Sequence, residues 1–555
     1  MKKYIILIAA LMAMQNTFAL TKTVYADEVV SGTAISYDNT ENTGNLTYAS
    51  GVDEKMCHAS YWKDKLGRNA QRLLMTGSEI EELNAKMLAE PKTCMHDLEN
   101  MPETYTASPI VRELPKEEYY VNGKRVYNSQ YFGKMIKAMK ETGYSGEMQT
   151  QYAVVTKRAD MKDWPTEDIV GYSANDTDDE LQGSAMNVNE PFVIRQKCEI
   201  DGKTFYNGAT FNCEGWVPAD CLAICASKKE WLNAWKVDIN AKDFIVVIQD
   251  KISLEPSIYV PEISDVDLMI GTVLKLVPKD KMPETVAERG TWNNYVVYLP
   301  TRDEKGNYVR QPALISQHHN VSVGYLPLTQ GNVLDVSFGC LGNRYGWGGM
   351  LGAMDCSMYA RQIYRCFGLE IPRNTTWQTQ IPERVSDISA MTDEEKLEFF
   401  KGIPVGSLLM FRGHITVYIG SENGMAYVIS DTGSLSDSVG ELKVIGQMSV
   451  IINPLDVRRG NGTTWLKNMI SAVTFGEGNT KYVFGDADAD GIITATDSTV
   501  ILQKVLAGNY EMPIEKKTAA WMMYADADND GKLTAADAST VLQKVLVSSY
   551  KMPAE

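Results

Sequence analysis

Tyr345-Gly-Trp347-Gly348-Gly349 leads into Met354-Asp355-Cys356-Ser357-Met358-Tyr359. After Cys356 the residues Ala360, Ile363, Tyr364 and Phe367 recur at helical spacing, so the cysteine opens a helix. Backbone N–H groups and the helix dipole at such a start favour a thiolate. Downstream, Pro404-Val405-Gly406-Ser407 precedes the apolar run to Phe411, and Gly413-His414-Ile-Thr-Val-Tyr418-Ile-Gly420 follows. His414 thus begins a segment of strong β-propensity. A turn at Asn423-Gly424 returns the chain into Tyr427-Val-Ile-Ser430-Asp431-Thr432, giving a hairpin. A cysteine at a helix start facing a histidine on a sheet is a nucleophile with its general base and acid. Ser430 lies on this return strand. Asp431, one residue on, points to the other strand face unless a bulge intervenes.

The tail carries a second pattern, twice. Asp486-Ala-Asp488-Ala-Asp490-Gly491-Ile492 ends at Asp497, and Asp526-Ala-Asp528-Asn-Asp530-Gly531-Lys532 ends at Asp537. Carboxylates at loop positions 1, 3, 5 and 12, a backbone carbonyl at 7 and a glycine at 6 suit a hard cation such as Ca²⁺. The expected ligands are Asp486, Asp488, Asp490, Ile492 and Asp497 in the first loop, and Asp526, Asp528, Asp530, Lys532 and Asp537 in the second. Each loop feeds an amphipathic segment, Asp497 to Leu506 and Asp537 to Leu546.

A loop and one helix, repeated, resembles the type I dockerin module of cellulosomal proteins. The resemblance implies two structural Ca²⁺ ions and a cohesin module of a scaffold protein as partner. The blocks around Cys356 and His414 resemble the NlpC family of papain-like cell-wall endopeptidases. They match in Tyr-x-Trp-Gly-Gly, Asp-Cys-Ser, Pro-Arg-Asn at Arg373 and Gly-His-x-x-x-Tyr-Ile-Gly, in the family's order. That resemblance implies cleavage of the γ-D-glutamyl–diamino acid bond of peptidoglycan stem peptides, with Cys356 as nucleophile, His414 as base and acid, and no catalytic cofactor. It places Tyr345, Asp355 and Ser357 at the substrate, Asp355 suiting a free amine. Two departures stand out. Ser430 occupies the position where the family places a second histidine or another polar residue, and Met358 stands where glycine is common, a bulk that narrows the site. A catalytically weak wall- or partner-binding module, or an N-acetylmuramoyl-L-alanine amidase, are the alternative readings.

Upstream, Ser78-Glu-Ile-Glu81 reads as a capping box in a helical stretch from Tyr61 to Asn100. Short strands then alternate with turn signals at Asn122-Gly123, Asp201-Gly202 and Asn207-Gly208. Thr156-Lys-Arg-Ala-Asp160 and Gly215-Trp216-Val-Pro218 resemble bacterial SH3-like modules, with Trp216 as core. The expected fold is multi-domain: an α+β papain-like domain preceded by small SH3-like β-barrels and followed by an all-α Ca-binding dockerin. The expected spans are a signal peptide at 1–26, a leader and helical region at 27–116, modules at 117–228 and 229–325, the peptidase at 326–470, a linker at 471–483 and the dockerin at 484–555.

Lys2 and Lys3 before an apolar run to Met14, with a cleavage site at Val24-Tyr25-Ala26, read as an export signal; no later stretch is apolar enough to span a membrane. The expected location is extracellular, on a scaffold or cell surface. A net charge of −17 argues against nucleic acid and anionic membranes as partners. Nine cysteines leave at least one unpaired. Cys356 is the candidate; the other eight permit four disulfides but also suit free thiols in an anaerobic setting. His318-His319, and the Cys57-His58 and Cys94/His96 pairs, have no spacing that favours a shared metal.

Overall fold

The six strands that carry the site form one antiparallel sheet, in the order Val385–Asp387, Ser471–Val473, Leu408–Phe411, His414–Glu422, Met425–Thr432 and Ser449–Pro454. The structure is a computed structural model and describes residues 45–436, 444–476, 483–490, 492–516, 521–547 and 549–554. The expected signal peptide, the start of the leader, Gly491 and much of the expected linker lie outside them. The hairpin is as expected: Glu422 pairs Met425, and Asn423 and Gly424 both take positive φ, as a tight turn of this hand requires. The helix Cys356–Arg365 packs across the two hairpin strands, and all ten of its residues are buried.

The N-terminal helices belong to this body. Trp62, 1% exposed, lies in helix Ala59–Leu66 and packs its ring on Tyr427 at 5.5 Å. It fills the space beside Gly420, where a Cβ would come within 2.9 Å of the indole. Lys63 pairs with Asp335 at 2.9 Å. The next helix, Gly77–Ala89, begins two residues earlier than the sequence suggested. Its capping box is Thr76 with Glu79, and Ser78 is inside the helix.

Residues 151–224 form a seven-stranded antiparallel sheet around a core that includes Val155, Met161, Phe192 and Val217. The Asp201-Gly202 turn joins Pro191–Ile200 to Lys203–Thr210 as expected. Asn207-Gly208 is not a turn. It sits inside strand Lys203–Thr210, where a Cβ at Gly208 would run into the Val193 carbonyl and the Phe192 ring; the glycine permits close strand approach. Trp216 is core, as read. A second core, including Ile245, Leu268, Val297 and Ile315, holds the following strands together. The two cores are tied by Asn187 and Asn189, whose amides donate to the carbonyls of Ile270 (3.1 Å) and Val273 (3.0 Å).

At the C-terminal end, helices Ala495–Leu506 and Ala535–Leu546 share a core of Val500, Ile501, Tyr524 and Val541. The repeat is structural as well as sequential: Ile514 N–H donates to Ala487 O, and Ala554 N–H to Ala527 O, both at 3.2 Å. Arg68, from the N-terminal helical region, reaches this unit, 3.7 Å from Asp526 and over the Phe484 ring. All nine cysteines are free, so none of the permitted disulfides forms. No helix among the described residues is long and apolar enough to cross a membrane.

Candidate functional site

Cys356 is the first residue of its helix, and Asp355 is the N-cap, accepting from Met358 N–H at 2.8 Å. Strand His414–Glu422 brings His414 to the same cleft of about 300 Å³, which Tyr345 also walls. His414 Nε2 lies 3.2 Å from Ser430 Oγ, which in turn lies 2.9 Å from Thr432 Oγ1. With Nε2 turned to the serine, Nδ1 is the nitrogen left for the cysteine side, not the one bonded to Ser430. Ser430 and Thr432 share a strand face, as alternation demands. Asp431 is on the other, fully buried and with neither carboxyl oxygen hydrogen-bonded. Burial, then the Asp355 charge, pushes it up to about 9, so it is a neutral acid at pH 7 that does not orient His414.

Burial disfavours the charged form of both Cys356 and His414. Burial, reinforced by Asp355, pushes the Cys356 thiol up to about 12. Burial, reinforced by Arg459, pushes His414 down to about 3. Desolvation here outweighs the helix-start stabilisation expected from sequence. The histidine ring forms a three-ring cluster with Phe411 (5.3 Å) and Trp465 (5.0 Å), themselves 5.2 Å apart, and stays partly exposed to the cleft.

Asp355 and Ser357 are less available than expected. The Asp355 carboxylate takes a bidentate pair from Arg373 (3.0 and 2.7 Å), the Gly348 and Met358 N–H groups and the Ser357 hydroxyl. Arg373 also donates to Ser357 Oγ at 3.0 Å and Ser184 Oγ at 2.8 Å. Despite burial, the Arg373 guanidinium holds the Asp355 carboxyl below its ordinary range. Neither Asp355 nor Ser357 walls the cleft; an incoming amine would share this carboxylate with Arg373.

Met358 does not narrow the cleft. It is fully buried against Gly349 and lies 4.0 Å from Arg158. The Trp-Gly-Gly stretch serves that same junction. Gly348 has φ +63° and its Cβ would clash with Gln182 of the upstream sheet. Arg158, in the Thr156–Asp160 segment, donates to the carbonyls of Gly349 (2.9 Å) and Ala353 (2.7 Å). Arg158 of the upstream sheet region thus clamps the loop that ends at Cys356. Sequence reasoning missed Arg158, Arg412, Arg459 and Trp465 as parts of the site; they come from connecting segments and the start of helix Trp465–Asn468, all distant in sequence from Cys356, and no spacing rule connects them to it.

The acidic loops gather their carboxylates. Asp486, Asp488 and Asp497 form one group and Asp526, Asp528 and Asp530 the other, each with oxygens within 4.8 Å. Asp490 closes the first loop through its N–H to Asp486 (3.1 Å), and its carboxylate accepts from Ile492 N–H (2.9 Å). Asp537 accepts from Asp528 N–H (3.1 Å) and Thr534 N–H (2.7 Å); Lys532 N–H donates to Asp530 (2.8 Å). Burial and then the Asp497 and Asp490 charges push Asp488 up to about 6. Such crowded hard oxygens fit a divalent oxygen-seeking cation, which removes the repulsion among them. Among the described residues no other acidic, histidine or cysteine group gathers in this way.

Comparison with known proteins agrees with this geometry. Residues 342–473 match the model of the NlpC/P60 family, and residues 484–546 match the type I dockerin domain. Among solved structures, an NlpC/P60 endopeptidase from Photobacterium damselae subsp. piscicida superposes with a TM-score of 0.56 at 15% identity, over 79% of this chain and 100% of that one. An NlpC/P60 family protein from Bacillus cereus ATCC 10987 aligns at 15% identity over 58% and 99% of the two chains, with a TM-score of 0.38. The first likeness is one of fold, and it extends well upstream of the matched domain. No curated protein matches the chain.

Proposed function

For a chain that carries an NlpC/P60 domain and a C-terminal type I dockerin domain, we propose the function of an exported cysteine endopeptidase. It hydrolyses the γ-D-glutamyl–diamino acid bond of peptidoglycan stem peptides and is held on a cohesin-bearing scaffold by its Ca²⁺-loaded dockerin. The observation that carries this reading is Cys356 at a helix start sharing one cleft with His414, with Ser430 behind the imidazole.

Because burial disfavours the charged form of both groups, proton transfer accompanies attack. His414 Nδ1 takes the thiol proton as Cys356 Sγ bonds to the scissile carbonyl carbon. The carbonyl π pair moves to oxygen, where N–H groups at the helix start and the Tyr345 hydroxyl receive it. Collapse breaks the C–N bond, and the imidazolium gives its proton to the leaving amine. Water, with His414 as base, then hydrolyses the thioester and frees Cys356. Ser430 fixes the ring through Nε2. Asp355, with Ser357, holds the helix start and offers the carboxylate that a free N-terminal amine shares with Arg373. The upstream barrels read as the SH3-like modules of such enzymes. In the tail, Asp486, Asp488, Asp490, Asp497 and the Ile492 carbonyl would hold one Ca²⁺ ion, and Asp526, Asp528, Asp530, Asp537 and the Lys532 carbonyl a second, each ion offsetting the repulsion among its loop's carboxylates. Catalysis itself uses no cofactor.

The Ser430 hydroxyl, weaker than a second histidine as an orienting partner, favours a second reading: a slow or inactive wall-binding module. Digestion of muropeptides followed by product mass separates the readings. Products ending in D-Glu support the endopeptidase; release of the whole stem peptide from muramic acid indicates an amidase; undigested muropeptide supports the binding module.

A further inference from the structure

Two guanidinium groups face the cleft of Cys356 and His414, and among the described residues no carboxylate pairs with either. Arg412 lies in the turn between strands Leu408–Phe411 and His414–Glu422, and Arg459 in a separate turn closed by Arg459 N–H to Thr463 O (2.9 Å) and Gly462 N–H to Arg459 O (2.8 Å). Arg412 is exposed at the lip; Arg459 is half-buried. The Arg459 guanidinium lies 4.9 Å over the Phe411 ring, whose own centroid is 5.3 Å from that of His414. Stacking fixes the plane of the group and leaves its edge donors free. Among the described residues neither arginine has a carboxylate partner, in a chain of net charge −17. Arg361, Arg365 and Arg373, by contrast, are each paired with an acid. A cation beside His414 also disfavours the imidazolium that the reaction forms, so Arg459 left without an anion favours the neutral imidazole and works against the step that charges it.

We propose that Arg459 is a specificity residue that binds a free carboxylate of the substrate, close to the scissile amide, with Arg412 as an outer cation at the lip. This rests on the endopeptidase reading above. A γ-linked D-glutamyl residue keeps its α-carboxylate, with only its α-, β- and γ-carbons between that group and the scissile carbonyl; the diamino acid offers a second carboxylate on the leaving side. Either supplies the planar anion a guanidinium takes in two parallel hydrogen bonds. Docking it neutralises Arg459 as the imidazolium forms, so the carboxylate acts on kcat as well as KM.

The test uses three synthetic peptides: L-Ala-γ-D-Glu-diamino acid, its D-Glu α-carboxamide, and its diamino-acid carboxamide. Wild-type protein is expected to favour the free acid over one carboxamide by about 10- to 100-fold in kcat/KM, the range of a charged hydrogen-bonded pair; the disfavoured carboxamide identifies which carboxylate docks. In Arg459→Gln that ratio collapses towards one, Arg459→Lys keeps part of it, and Arg412→Gln lowers it less. Equal ratios in wild type and Arg459→Gln overturn the proposal. Calorimetric binding to Cys356→Ala gives a reading that needs no turnover. Tighter binding of the free acid, lost in Cys356→Ala/Arg459→Gln, supports Arg459 even if hydrolysis is not seen; equal binding of acid and carboxamides overturns it.

Discussion

Replacing Arg373 by Met keeps most of the side-chain stem and removes the charge beneath the helix start at Cys356. Arg373 is 3% exposed and makes four hydrogen bonds: two to Asp355, one to Ser357 and one to Ser184. Breaking one side of a buried ion pair costs about 3–5 kcal/mol, because the other charge is left desolvated. Asp355 would retain three donors, from Gly348, Met358 and Ser357, so the lower end, about 3 kcal/mol, is expected. For a domain of this size that lowers Tm by roughly 10 °C. The pH dependence follows from the depressed Asp355 carboxyl. Its stabilisation is fully present above the unfolded-state value of about 3.9 and is lost as pH falls through the still lower folded value. The gap between wild type and Arg373→Met should therefore be constant from neutral pH down to about pH 5 and close in stronger acid. Calorimetric or circular-dichroism melts across pH check this. Arg373→Met/Asp355→Asn, which removes the stranded charge but keeps the cap, should recover a large part of the loss. A Tm within 2 °C of wild type at pH 7, or a double variant no better than the single, would refute the reasoning.

Ser430→Ala removes one neutral hydrogen bond to His414, worth about 1 kcal/mol, so kcat should fall roughly 3- to 10-fold with KM unchanged; steady-state kinetics showing more than a 100-fold loss, or none, would contradict an orienting role. Removing Ca²⁺ with a chelator should abolish the helical signal of Ala495–Leu506 and Ala535–Leu546 and the binding of cohesin together, because the loop carboxylates then repel one another; retention of both in excess chelator would show that the loops need no metal.

Local chemistry was the legible part of this chain. The helix start at Cys356, the Asn423-Gly424 hairpin and the two acidic loops each depend on residues close in sequence, and each is where the spacing places it. Strand alternation also separates Ser430 from Asp431, and the structure keeps them on opposite faces. What spacing could not reveal was set by partners far along the chain. Gly208 reads as a turn until the Val193 carbonyl beside it is known. Met358 reads as an obstruction in the cleft, yet its side chain belongs to the junction with Gly349 and Arg158. A helix start at Cys356 is a local feature that favours a thiolate, whereas the burial that pushes the thiol the other way comes from the whole packed domain. The N-cap misplacement, Ser78 for Thr76, was a register error between two hydroxyl residues, each with a glutamate three positions later.

The most direct measurement is mass spectrometry of L-Ala-γ-D-Glu-diamino acid peptide incubated with wild-type protein, Cys356→Ala and His414→Ala, each checked by its melting curve. The account predicts cleavage after D-Glu by wild type alone, with both variants folded and inactive. Equal turnover by folded Cys356→Ala, or no cleavage by wild type of this peptide or its wall-bound form, would contradict it.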